Sequence, residues 1–182
     1  MLMKIYTIGH STHESEKFLE ALKAHGIQLL IDVRTIPKSR HTPQFNTDVL
    51  EPYLKEHGIS YLHMKELGGL RHTTKDSVNT GWKNASFRGY ADYMQTEEFS
   101  RAIDALIELA KEKTTAIMCA EAVPWRCHRS LIADALTVKG VNVFHIMTEK
   151  TANEHKMTEF AQVKNGKLWY PAAEKQEKLT YP

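Results

Sequence analysis

Residues 114–146 read TTAIMCAEAVPWRCHRSLIADALTVKGVNVFHI, and the succession of elements in that stretch decides the fold class. Thr114 to Met118 and Val141 to Ile146 are short apolar or β-branched runs, the pattern of buried strands. Between them Leu131, Ile132, Ala135 and Leu136 form one helical face, and Lys139-Gly140 supplies a basic last turn and a C-terminal stop. A strand, a helix and a second strand in that order are the unit from which parallel sheets are built.

The same alternation extends upstream. Lys4 to Ile8, Gln28 to Val33 and Ile59 to Met64 are three further strand candidates, making five in all. Ser11-Thr12-His13-Glu14 has capping-box spacing and opens a helix carrying Phe18, Leu19 and Leu22 on one face, ending near Gly26. Asp48 to His57 reads as a second helix before Gly58, with Pro52 tolerable only near its first turn. Thr96 is placed to cap a longer helix whose buried stripe is Phe99, Ile103, Leu106, Ile107 and Ala110. The expected fold is therefore α/β: a doubly wound, mainly parallel five-stranded sheet with helices on both faces, three-layered and Rossmann-like. Residues 1–150 are expected to form the α/β domain and residues 151–182 an extension packed on it. In that extension Asn165-Gly166, between Gln162-Val163-Lys164 and Lys167-Leu168-Trp169, signals a hairpin turn. The unpatterned stretch from Leu67 to Ala85 reads either as a lid or binding loop or as a mobile segment.

Composition narrows the function classes. With 182 residues, 42% hydrophobic and 25% charged, the chain has the balance of an ordinary globular domain. Lys and Arg number 24 against 22 Asp and Glu, and the pI of about 8.4 falls short of a dedicated nucleic-acid binder, so any basic footprint must be local. No apolar run approaches the roughly 18 residues of a membrane span. The N-terminus runs straight into a strand without an export-signal pattern, and a cytoplasmic location is expected. Cys119 and Cys127 are too few for a disulfide framework and are expected as thiols, a single bridge between them being the alternative.

In open parallel sheets ligands bind beyond the carboxyl ends of the strands. The residues there are Gly9-His10-Ser11, Asp32 and Arg34 followed by Pro37, Ser39 and Arg40, then Glu66 and Gly68-Gly69, Cys119 and Glu121, and His145. The sharpest segment is Cys119 to Ser130. Arg126, His128 and Arg129 crowd a helix N-terminus that is itself positive, an arrangement that calls for an anion. That anion is either internal, through Glu121 or Asp32, or the phosphate or carboxylate of a ligand. The same field would lower the pKa of Cys127 and favour its thiolate, whereas Cys119 reads as a small buried hydrophobe.

The leading expectation is an enzyme acting on a phosphate- or carboxylate-bearing, nucleotide-like substrate. Cys127 would be the nucleophile, with His10 and Glu121 moving protons. His128 joins this candidate catalytic set, although adjacent positions on a helix point apart and no Cys127–His128 dyad is expected. Arg34, Arg126 and Arg129 would hold the anion, with Ser11, Asp32, Ser39, Gly68, Gly69 and Tyr90 completing the substrate side. The spacing of Cys119, Cys127 and His128 matches no common zinc site, so neither metal nor cofactor is expected. Two alternatives stand beside the enzyme: a non-catalytic module binding nucleic acid or protein, and a thiol redox sensor. Arg88-Gly89-Tyr90-Ala91-Asp92-Tyr93-Met94, with Trp82 and Phe87, would be the stacking surface of such a module or else helix core. A membrane partner is not expected, and the oligomeric state is left open.

Taken together, Thr7-Ile8-Gly9-His10-Ser11, Asp32-Val33-Arg34 with Pro37 and Ser39, Leu67-Gly68-Gly69, Gly89 to Met94, and Cys119-x-Glu121 followed by Cys127-His128-Arg129 resemble the domain-of-unknown-function family numbered 488, found in bacterial and archaeal proteins. The resemblance covers roughly residues 5–146 and implies an α/β domain of cytosolic type. Pro52 and the tail after Met147 lie outside those motifs.

Overall fold

The computed structural model describes residues 2–173. Five strands run parallel: β1 (Lys4–Gly9), β2 (Leu29–Asp32), β3 (Ser60–His63), β4 (Thr115–Cys119) and β5 (Asn142–Ile146). A sixth, β6 (Ala152–Glu154), adds antiparallel to β5, so the sheet is mixed, in the order β3-β2-β4-β1-β5-β6. The expectation of five strands is corrected at this edge. Ala-Asn-Glu has no apolar alternation to announce it; it pairs because the turn at Thr148–Thr151 sends the chain back alongside β5. The stretch 174–182 of the expected extension lies outside the described residues.

The helices are α1 (Ser15–Ala24), α2 (Thr47–Glu56), α3 (Ala85–Tyr93), α4 (Glu97–Glu112) and α5 (Arg129–Val138). Alternating sheet residues divide the core in two. Ile8, Leu30, Ala116 and Met118 pack with Phe18, Leu19 and Leu22 of α1 and Leu50 and Leu54 of α2. Ile5, Ile31, Ile117 and Val143 pack with Tyr90 of α3, Phe99, Ile103 and Leu106 of α4, and Leu131, Ile132 and Leu136 of α5. The central strands β2 and β4 are buried along their whole length because both faces are covered.

Two helix starts differ from expectation. Ser11 does not cap α1: its φ is 46°, and the helix begins at Ser15 behind Glu14, whose side chain makes no capping bond. Pro52 lies in the second turn of α2 on its solvent side, where the carbonyl it leaves unbonded, that of Asp48, can be hydrated. Thr96 does cap α4, accepting from the Phe99 N–H at 3.3 Å. Gln162–Lys164 (β7) and Lys167–Trp169 (β8) form the expected hairpin, with φ of 53° at Asn165 and 74° at Gly166, the pair of left-handed residues its tight turn requires.

The stretch between Leu67 and α3 is anchored rather than free. Buried Asp92 of α3 accepts from Thr73 Oγ1 at 2.9 Å, the Thr74 N–H at 2.9 Å, Ser77 Oγ at 2.6 Å and Asn79 Nδ2 at 2.8 Å. Burial alone would raise that carboxyl, but these donors bring it below its ordinary range. The aromatic segment is core: Tyr90 and Tyr93 are buried, and Trp82 packs among Phe87, Phe160 and Tyr170. Among the described residues, no helix is long and apolar enough to cross a membrane.

Candidate functional site

β4 lies between β1 and β2. The helix after β1 packs on one face of the sheet and the helix after β4 on the other, which opens a crevice at their carboxyl ends. A cavity of about 490 Å³ sits there, lined by Arg34, Gly69, Glu121, Arg126, His128 and both cysteines, together with Thr35, Ile36, Leu70, Ala120 and the start of α3. Two larger clefts of about 840 Å³ lie elsewhere. One, between α4, α5 and the hairpin, has only lysines as charged lining groups; the other borders His145 and His155.

The segment after β4 presses against β1. A Cβ on Gly9 would lie 1.7 Å from the Glu121 carbonyl oxygen and 2.8 Å from Arg129 Nη2, so only glycine allows this approach. Through the gap Arg129, the first residue of α5, sends its side chain inward to complete burial. Its Nε donates to Cys119 Sγ at 3.1 Å, Nη1 to Thr7 Oγ1 at 3.0 Å, and Nη2 to the carbonyls of Glu121 at 2.8 Å and Ala122 at 3.1 Å. Among the described residues no carboxylate lies within ion-pair distance of it. A buried cation without a paired anion is costly. The one neighbour able to become that anion by direct contact is Cys119.

The two thiols accordingly differ. Burial alone would raise the Cys119 thiol, yet a hydrogen bond from Cys127 and the Arg129 charge outweigh it, and Cys119 is displaced downward. Burial and the adjoining Cys119 sulfur push the Cys127 thiol well up. This corrects the expectation that the helix field would make Cys127 the thiolate: the α5 N–H of Arg129 does reach Cys127 Sγ at 3.5 Å, but the guanidinium reaches Cys119. When protonated, Cys119 would instead donate to the Glu121 carbonyl, 3.7 Å away.

Cys127 Sγ also lies 3.5 Å from His128 Nδ1, a contact not expected of adjacent helical residues. It arises because Cys127 is still extended, with φ −133° and ψ 147°, and the helix starts only at Arg129. His128 Nε2 is 2.8 Å from the Val33 carbonyl, which requires the proton on Nε2 and leaves Nδ1 as an acceptor. Desolvation lowers this histidine to about 4. A side chain on Gly69 would meet its ring at 2.7 Å.

On the β2 side, Arg34 is held by Asp32, with Nε to Oδ1 at 2.9 Å and Nη2 to Oδ2 at 2.7 Å, and by the Phe45 carbonyl at 2.7 Å. Tyr61 also donates to Asp32, at 2.5 Å. His10 stacks on Phe45, with ring centroids 4.3 Å apart, and its Nδ1 is 2.7 Å from the Ser11 carbonyl. Nε2 therefore accepts from Arg34 Nη1 at 3.3 Å. Burial lowers His10 to about 4, and its lone pair is taken up by Arg34.

The structure thus brings Arg34, Gly69, Glu121, Arg126, Cys127 and His128 to one cavity and adds Cys119. It sets the other candidates elsewhere. Asp32 is the partner of Arg34, Gly68 packs against Thr35, and Tyr90 is buried with its hydroxyl on the Leu67 carbonyl. Ser39 bonds to Asn46 and His41. His10, Ser11 and Arg129 lie outside the cavity wall. Glu121 and Arg126 are exposed at the rim. Sequence reasoning did not place Cys119 at this cavity because its signal, the end of an apolar strand, is that of core.

The family model described as Domain of unknown function DUF488 matches residues 14–136, and the chain belongs to that family. Comparisons with curated proteins and with solved structures returned no match.

Proposed function

We propose that this DUF488 domain is a cysteine-dependent enzyme whose nucleophile is the Cys119 thiolate, acting on a phosphate- or carboxylate-bearing substrate bound in the strand-tip cavity. One observation carries the reading: a fully buried arginine without a carboxylate directs its Nε at a cysteine sulfur 3.1 Å away. Arg34 and Arg129 are engaged by the protein, so Arg126 at the rim is the cation left to meet the substrate's anionic group.

The chemistry closes on itself. The Cys119 sulfur gives its electron pair to the electrophilic carbon or phosphorus, and the leaving group departs with the pair of the broken bond. Cys127 hands that group its proton. Burial and the adjoining Cys119 sulfur hold its thiol high, and the second of these influences disappears once the Cys119 charge is consumed. Water then displaces the acyl or phosphoryl group from sulfur and returns a proton to Cys127, so the net reaction is hydrolysis.

The test is to incubate the protein with p-nitrophenyl phosphate and with an activated carboxylate ester and to follow its intact mass. Trapping is expected on Cys119, enhanced in Cys127→Ser and absent in Cys119→Ser. Absence of any adduct, together with an ordinary pH midpoint for Cys119 alkylation, would end the proposal. The contact between the sulfurs favours a second reading as a redox pair. Peroxide would oxidise Cys119 to the sulfenic acid with release of water, and Cys127 would then condense with it, forming the disulfide and a second water. Loss of both free thiols at one equivalent of peroxide supports that reading, and loss of neither removes it.

A further inference from the structure

Behind Arg129 runs a buried hydrogen-bonded chain that the nucleophile reading leaves unused. Arg129 Nη1 donates to Thr7 Oγ1 at 3.0 Å. Thr7 Oγ1 is 2.6 Å from His145 Nδ1, His145 Nε2 is 2.8 Å from His155 Nδ1, and His155 Nε2 is 2.7 Å from Asp134 Oδ1. With one proton on each imidazole, the carboxylate end sets the direction of every bond in the chain. A guanidinium only donates and a carboxylate only accepts. The Thr7 hydroxyl therefore points at His145, His145 donates to His155, and His155 donates to Asp134. Burial holds His145 down at about 3. All the dipoles align, carrying the negative end of Asp134 toward the guanidinium.

Asp134 is tied down independently of His155. The Thr158 N–H at 3.1 Å, Thr158 Oγ1 at 2.6 Å and the Tyr170 hydroxyl at 2.7 Å all donate to it. The chain is not a proton wire, because the arginine at its end does not release a proton. What it transmits is charge compensation.

We propose that Asp134, acting through His155, His145 and Thr7, is the standing countercharge of Arg129, and that it takes over when the Cys119 sulfur is covalently occupied. This rests on the reading of Cys119 as the nucleophile. When the thiolate forms its bond, the negative charge leaves the sulfur that Arg129 Nε touches, and Cys127, even after giving up its proton, meets only the Arg129 backbone N–H and not the guanidinium. The relay supplies the compensating field and makes the covalent state cheaper to reach. Asp134 and His155 are then positioning residues. The sign follows from competition: two anions share one guanidinium, so removing Asp134 strengthens the hold of Arg129 on the thiolate.

The titratable and charged groups that line the cavity with Cys119 are Arg34, Glu121, Arg126, Cys127 and His128, and the Arg129 guanidinium reaches its sulfur directly. Those facing Asp134 are His155 and Tyr170, with His145 one step behind. Asp134→Asn leaves all of these in place. The experiment is iodoacetamide alkylation followed at Cys119 by peptide mass mapping across pH. In that reaction the sulfur forms a bond to the methylene carbon and iodide leaves with its electron pair.

In Asp134→Asn the midpoint should move down by about half a pH unit or more. The fully alkylated variant should also lose more in Tm, relative to its own unalkylated form, than the wild type does. His155→Gln should shift the midpoint in the same direction by less, and decides the matter if Asp134→Asn does not fold. A midpoint that stays fixed or moves up overturns the relay, because a merely structural role would loosen Arg129 and weaken the thiolate. The underlying reading fails differently: it is lost if the wild-type protein itself shows a Cys119 midpoint at or above about 8.5, the ordinary thiol value.

Discussion

Two buried arginines stand at neighbouring strand tips, and they are held in opposite ways. Arg34, at the end of β2, lies against the carboxylate of Asp32 two residues before it. Arg129, at the start of α5, is surrounded by two carbonyls, a hydroxyl and a thiol. The first pair is electrically closed and shapes one wall of the cavity. The second has no carboxylate within ion-pair distance among the described residues and directs its Nε at a sulfur, the arrangement on which the proposed nucleophile rests. Two similar buried residues are thus held in different electrical surroundings, and the difference is set by what each donates to.

The largest effect that separates them is on stability. Arg34→Met would leave Asp32 buried with a hydroxyl from Tyr61 and a backbone N–H as its remaining donors, a loss of about 3–5 kcal/mol. Urea unfolding should show that loss while the Cys119 alkylation midpoint barely moves. Arg129→Met leaves two carbonyls, a hydroxyl and the Cys119 sulfur without their donor, about 1–3 kcal/mol, but the Cys119 midpoint should rise because the charge that helps offset its burial is gone. If the two variants were equally destabilised and neither moved the midpoint, the contrast between the arginines would collapse.

Acid sharpens the comparison at intermediate scale. His10 faces Arg34, whereas His128 and His145 lie on the Arg129 side, and burial lowers them from an ordinary 6.5 to about 4, 4 and 3. Below pH 6.5 the unfolded chain takes up protons that these folded histidines refuse, so their contribution to stability falls as pH drops toward 4 and is exhausted below about 3. Calorimetry should show Tm falling by several degrees across that window; a flat or rising Tm contradicts these neutral imidazoles. The smallest structural effect is expected at the rim. Arg126→Ala should change stability by no more than about 0.5 kcal/mol, and inorganic phosphate, which is expected to slow Cys119 alkylation in the wild type, should no longer do so in this variant.

Much of the fold was legible because its signals are local. Five apolar runs marked the parallel strands, Thr96 marked the start of α4, and Asn165-Gly166 marked the hairpin. β6 was invisible because a three-residue polar edge strand is set by where the chain returns, and the Ser11 cap failed because that residue takes a left-handed turn first. The site was half legible. Strand-tip geometry pointed to the segment from Cys119 to Arg129, but the choice between its thiols depended on which sulfur a buried guanidinium reaches. No sequence spacing reports that. His145 stood out as a polar group in a strand, while Asp134, an acid flanked by Leu131, Ile132 and Leu136, was a signal left unused. Its link to Thr7 through two histidines spans residues far apart in the chain.

The return of the C-terminal segment has a practical consequence for anyone trimming this protein. All the donors to Asp134 come from His155, Thr158 and Tyr170, and the Tyr170 backbone is itself stitched to Asn79 and Gly81. The family match ends at residue 136. An expression clone cut to that match would keep the acid and discard everything that neutralises it, so the shortest fragment worth purifying runs past Tyr170.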